Sequence, residues 1–281
     1  MDGRWLGLIR ALFFSFTLAY SLKFDYFTVV FWGNLPGELW LPLGPYQFFE
    51  VPPLDKASLE TLRAFWHTSL FLSAIGLFTR VSTMAAAILA YFYFGFSSSF
   101  GEVSHDDLGA IVFLFIFSFS CCGDHISLDK RLWNKSVNLK GEQYFWPIKL
   151  MQVVFCLIFF AAGYSKLTNG GLSWITGDTL KYYLEWSHYR SSMDDLSRSL
   201  GWGISLSRYP FLCKVFAFWV VFKEFLAPLA LHNNKKAQLF VVFSLFFMMV
   251  GFYFTCTSGF VNMLFLYLCW LPLLSRSNEI S

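Results

Sequence analysis

Apolar positions along this chain gather into eight runs separated by polar connections. They cover about Trp5–Leu22, Leu59–Phe78, Ser82–Phe96, Leu108–Cys122, Tyr144–Leu167, Phe211–Leu231, Ala237–Cys256 and Gly259–Leu274. A helix needs about 20 residues to cross a hydrocarbon core of roughly 30 Å. Most of the runs have that length, and the third and fourth are shorter. The pattern predicts an all-α, polytopic membrane protein with about eight transmembrane helices. The first run resembles a signal peptide only faintly at Ala19-Tyr20-Ser21, because Arg10 interrupts its apolar stretch, so an uncleaved anchor is expected.

Composition agrees with this reading. Of the 281 residues, 56% are hydrophobic, 21% aromatic and only 14% charged, with mean hydropathy +0.52. A soluble domain carries about 25% charge. Nucleic-acid binding, disordered and collagen-like classes are excluded, and the lipid bilayer becomes the expected partner. The six cysteines lie in or beside apolar runs without C-x-x-C spacing, which fits packing thiols rather than a metal site. No metal is expected.

The distribution of charge then sets an orientation, since Lys and Arg accumulate in cytoplasmic loops. Arg4 and Arg10, Arg80, the group Lys130, Arg131, Lys135 and Lys140, the pair Lys235 and Lys236, and Arg276 fall on one side. The intervening connections carry Asp25, Glu38, Glu50 and Asp55, and later Glu102, Asp106 and Asp107. This alternation predicts both termini in the cytoplasm. It also leaves the sequon Asn134-Lys135-Ser136 on the cytoplasmic side, where it would stay unmodified. The long connection from Thr168 to Pro210, rich in Trp and Tyr, is expected to hold interfacial helices.

Ionisable residues at membrane depth are costly and point to function. Lys166 ends the fifth run after Ala161-Ala162-Gly163, small residues that would admit another helix or a flat ligand. A partly desolvated ammonium loses its preference for the charged state, and such a lysine can act as a base. The alternative is a lysine whose head snorkels to the interface. His105 opens the fourth run on the same outer side, either as a site residue or as part of a polar helix start with Ser104, Asp106 and Asp107. Lys223 and Glu224 interrupt the sixth run; Glu224 calls for a partner on another span, such as Arg10. Asp124, His125 and Asp129 close the fourth run as a polar helix end.

The run Ala162-Gly163-Tyr164-Ser165-Lys166-Leu167 followed by Trp174-Ile175-Thr176-Gly177 resembles the vitamin K-dependent gamma-carboxylases. Their wider set is the horizontally transferred transmembrane domain proteins. Gly76-Leu77-Phe78-Thr79-Arg80, His105, Ser127-Leu128-Asp129 and Glu224 are similar to family positions as well. The specific part of the likeness covers about 76–177.

The resemblance implies one transmembrane domain over 1–281, in a bacterial inner membrane or the endoplasmic reticulum membrane; the carboxylases follow theirs with a large lumenal region, and here no separate lumenal domain is expected. It implies a reduced quinone, similar to vitamin K hydroquinone, as cofactor. Lys166 is the implied base that deprotonates this quinol, assisted by His105. Oxygen then adds to the quinol anion, and the strong base so formed removes a glutamate γ-proton before carbon dioxide adds. Glu224, Asp129, Trp174, Gly177 and Arg80 would be structural or would support the catalytic pair. A secreted peptide or protein is the implied substrate. The family's seventh-span histidine has no counterpart near Met248-Met249. A non-catalytic accessory role in maturing or exporting a secreted peptide therefore stays open beside a quinol-dependent carboxylase or epoxidase. A transporter finds no support, because neither repeat halves nor paired broken helices are visible.

Overall fold

The computed structural model describes residues 3–101, 106–133, 141–193, 201–256 and 261–275, and no strand occurs among them. The chain divides into two compact units, Met1–Met151 and Gln152–Ser281.

The first unit begins with α1 (Arg4–Trp32). A short α2 (Pro45–Phe48) follows, then α3 (Lys56–Ile75), α4 (Thr79–Ser98), α5 (Asp106–Phe119) and α6 (Leu128–Trp133). α7 (Glu142–Gly170) carries the chain across the boundary between the units. α1 packs on α3, α3 on α4, and α4 on α5. On α4 the buried positions Ala86, Ala87 and Ala90 are small, which lets neighbouring helices approach closely. Phe13 and Phe14 meet Phe117, and Phe13 also meets Phe113, at 5.5–5.7 Å between ring centres. Two buried hydroxyls inside the helices are satisfied locally: Thr17 donates to Phe13 O at 2.8 Å and Thr83 to Thr79 O at 2.7 Å. This spares them an unmet polar group in an apolar setting.

The second unit continues through α8 (Ser173–Thr176), α9 (Thr179–Met193), α10 (Trp202–Ser207) and α11 (Pro210–Leu226). α12 (Lys235–Cys256), α13 (Val261–Leu266) and α14 (Leu271–Ser275) follow. Leu180 and Leu184 of α9, Cys213 and Ala217 of α11, and Cys256 of α12 form one buried cluster. On the other face of α9, Tyr182, Trp186 and Tyr189 are exposed at helical spacing. Proline explains two interruptions. Pro228 cannot donate to Glu224 O, and the helix tightens into a 3-10 turn (Ala227–Leu231) in which Ala227 N reaches Glu224 O instead. Pro272 likewise follows a 3-10 turn (Tyr267–Trp270) that splits the eighth apolar run.

Among the described residues each of the eight runs is largely helical, and four helices are long and apolar enough to cross a membrane. These are Arg4–Lys23 within α1, together with α4, α7 and α12. The helix begun by the first run passes its expected end near Leu22 and reaches Trp32, because no Gly or Pro intervenes before Gly33. The sequon at Asn134 and the residue His105 lie outside the described residues.

Candidate functional site

Lys166 sits on the last turn but one of α7. Its Nζ donates to both carboxylate oxygens of Glu224 on α11, at 2.6 and 2.8 Å. The Glu224 side chain is 5% exposed and that of Lys166 23%, so the carboxylate is the inner partner and the ammonium the outer one. Glu224 thus finds its mate on another helix, but the mate is Lys166 and not Arg10 as the sequence suggested. The reason lies in the small residues before Lys166. A Cβ built on Gly163 would stand 3.0 Å from Glu224 Cβ and 3.3 Å from the Phe225 ring. The gap that could have taken a flat ligand is filled by α11. Phe160 and Phe225 close the same contact edge to face, 5.3 Å between ring centres.

The turn after α7 returns an aromatic ring to the pair. The chain reverses at Gly170-Gly171, and Gly170 passes so close to α8 that a Cβ there would lie 3.1 Å from Trp174 Cβ. The Trp174 ring centre is then 5.4 Å from Lys166 Nζ, a cation–π distance. Gly177 ends α8, its N–H donating to Ser173 O at 2.8 Å. Lys166, Glu224 and Trp174 are therefore brought together, with Gly177 at the end of the short helix that carries Trp174, all within the second unit. Lys223, the other charge on α11, is half-buried and has no part in the pair.

Asp129 and Arg80 belong elsewhere, at the turn between α3 and α4. Gly76 closes α3 in the left-handed region, φ 72°, where a Cβ would also run into the Arg10 guanidinium. Asp129 N donates to Gly76 O at 2.9 Å. The Asp129 carboxylate in return accepts Phe78 N–H and Thr79 N–H, both at 2.7 Å. One buried carboxylate thus serves as the N-cap of α4 from about fifty residues away. Arg80 is exposed and stands outside this cradle.

Arg10, fully buried, donates from Nη2 to Ile126 O at 2.6 Å; its Nε and Nη1 find no hydrogen-bond partner among the described residues. Tyr144 donates to Asp124 at 3.1 Å, and Gly3 lies against the His125 ring, so the polar end after α5 is a packing joint.

No family model, curated protein or solved structure matches this chain. The site is accordingly read from its own chemistry. A basic amine, an acidic acceptor for its proton and an aromatic face are brought together beside a partly open helix end. Among the described residues no group of three His, Cys, Asp or Glu is arranged to hold a metal.

The sequence reading passed over two polar links. His67 on α3 hydrogen-bonds Ser21 on α1, and Gln152 of α7 donates to Cys269 O at 3.0 Å. A polar residue inside an apolar run was the available signal for both.

Proposed function

We infer that the protein is a membrane-embedded enzyme of the vitamin K-dependent gamma-carboxylase type, using a reduced quinone and oxygen with Lys166 as its base. The reading takes the chain as a multi-pass protein of eight spans with both termini cytoplasmic, in a bacterial inner membrane or the endoplasmic reticulum membrane. The observation that carries it is the pairing of Lys166 with Glu224 beside Trp174.

A neutral amine is what a lysine base must present. At 2.6 Å, Glu224 is positioned to take the ammonium proton and hold it while the amine accepts another. The burial of Glu224 keeps competing water from that transfer, while the more exposed Lys166 faces the incoming donor. The donor set fits a quinol, whose acidic ring hydroxyl would meet the amine and whose flat ring matches the Trp174 face. A quinol bound there supplies reducing equivalents for oxygen. His105 is the proposed second polar group, and a secreted peptide the proposed substrate.

The experiment is oxygen uptake and quinone epoxide formation by the purified protein in lipid nanodiscs supplied with a reduced naphthoquinone. Turnover that is lost in Lys166→Arg supports the reading. Its absence from the wild-type protein rejects it.

One observation favours an accessory, non-catalytic role. Glu224 spends both oxygens on Lys166, as a tie holding α7 to α11 would. In that case the protein would serve maturation or export of a secreted peptide, and Lys166→Arg would retain full function.

A further inference from the structure

Between α1 and α3 the chain makes an excursion along α4. Leu41 N donates to Ser99 O at 2.8 Å, and Leu43 N to Ser99 Oγ at 3.1 Å, fixing the segment at the C-terminal end of that helix. From there it runs toward the middle of α4. A Cβ on Gly95 would lie 3.2 Å from Pro45, the Tyr46 ring meets Phe92 at 5.7 Å, and Phe49 stacks on Phe92 at 6.1 Å and 20°. A Cβ on Gly44 would lie 3.3 Å from the Tyr91 hydroxyl.

Helical rise is about 1.5 Å per residue, so Tyr91 and Phe92 stand roughly 10 Å inside the end of α4. α4 has 20 residues and is one of the helices long and apolar enough to cross a membrane. Its length matches a core of about 30 Å, which puts the segment 44–49 at hydrocarbon depth. Irregular backbone is tolerated there only where protein covers it, and α4 supplies that cover.

The side turned away from α4 is apolar and open. Phe48 is 79% exposed and Phe49 60%. Together with Gly44, Pro45, Gln47 and Tyr91 they line a cleft of about 380 Å³. Ile88, one turn from Tyr91 on α4 and also exposed, continues the same face.

We propose that residues 44–49 form a re-entrant segment within the bilayer, and that the cleft it makes with Tyr91 holds one acyl chain of a membrane phospholipid. The cleft walls are aromatic and carry no charge, which suits a hydrocarbon tail. Gln47 and the Tyr91 hydroxyl are its polar groups. The inference rests on α4 crossing the membrane and is independent of the Lys166 chemistry.

The test is photolabelling of the full chain in phosphatidylcholine vesicles by two diazirine lipids, one reactive at mid-acyl chain and one at the headgroup. Adducts would be mapped by mass spectrometry. The mid-chain probe is expected to modify 44–49, Tyr91 and Ile88, and Phe48→Glu is expected to reduce the adducts on 44–49 severalfold. Labelling of Ile88 with 44–49 reached by the headgroup probe alone, or by neither, overturns the re-entrant segment while leaving the spanning α4 intact. Unchanged labelling in Phe48→Glu overturns the acyl-chain cleft. A mid-chain probe that misses Ile88 removes the spanning helix, and the inference with it.

Discussion

Glu224 holds Lys166 through both carboxylate oxygens, although 58 positions separate them in the chain. Their geometry separates the two roles open to the lysine. An arginine at position 166 can keep a bidentate pair with Glu224 yet cannot become a neutral base. Lys166→Arg is therefore expected to leave thermal stability in detergent close to wild type while abolishing quinol-dependent turnover. Retained turnover would leave the pair a structural tie.

Glu224→Gln leaves an ammonium without its counter-charge. Removing one member of a buried pair costs about 3–5 kcal/mol, and the partial exposure of Lys166 brings the expectation to the low end or below. A drop in unfolding midpoint, together with loss of turnover, would be measured beside Lys166→Arg. A Glu224→Gln protein as active as wild type would remove the carboxylate from the proton path.

Gly163 is the position at which α7 and α11 come closest to the pair. Overpacking commonly costs about 1–3 kcal/mol. Gly163→Leu should push α11 away and separate Lys166 from Glu224, and Gly163→Ala should do so less. Unfolding in detergent would rank the two variants, and equal stability in both would contradict the contact.

Asp129→Ala should destabilise the first unit by roughly 2 kcal/mol or more, since it strands the first-turn amides of α4. Asp129→Asn keeps one acceptor oxygen and should lose less. Hydrogen exchange at Phe78 and Thr79 would report the effect directly.

Asp55, outside the apolar runs, is held below the ordinary carboxylate range by hydrogen bonds from Ser58 at the start of α3, first from the Ser58 side chain and then from its N–H. A depressed folded value contributes stability above the unfolded pKa, about 3.9, and loses it as pH falls through the lower folded value. Protection of the Ser58 amide should persist at neutral pH and vanish in that acidic window. Asp55→Asn should remove the pH dependence while keeping a cap.

The helical character of this architecture was legible in the sequence because long apolar runs are a local property. The described runs are helical, the eighth in short pieces, and Pro228 and Pro272 mark breaks that could have been read directly. The three small residues before Lys166 left room for another helix or a flat ligand, and α11 takes that room at Gly163. The partner of Glu224 was harder to name. Arg10 was the cation expected on another span, and the close approach at Gly163 instead brings Lys166 to Glu224. Gly76-Leu77-Phe78-Thr79-Arg80 and Ser127-Leu128-Asp129 stand as two separate segments in the sequence. That the second caps the helix begun by the first depends on a fold through which Asp129 returns to Gly76, and no spacing rule encodes that return. The excursion at 44–49 falls in the proline-containing connection between the first two apolar runs, where no apolar run marks it.

The long-range cap also imposes an order of events on synthesis. Thr79 is made 50 residues before the aspartate that caps its helix. At about 5–20 residues per second, several seconds pass in which the leading amides of α4 lack that acceptor. During this interval the nascent helix must borrow hydrogen bonds from water or from the insertion machinery. The turn at Gly76 gains these bonds only once the segment after α5 has been made and folded back.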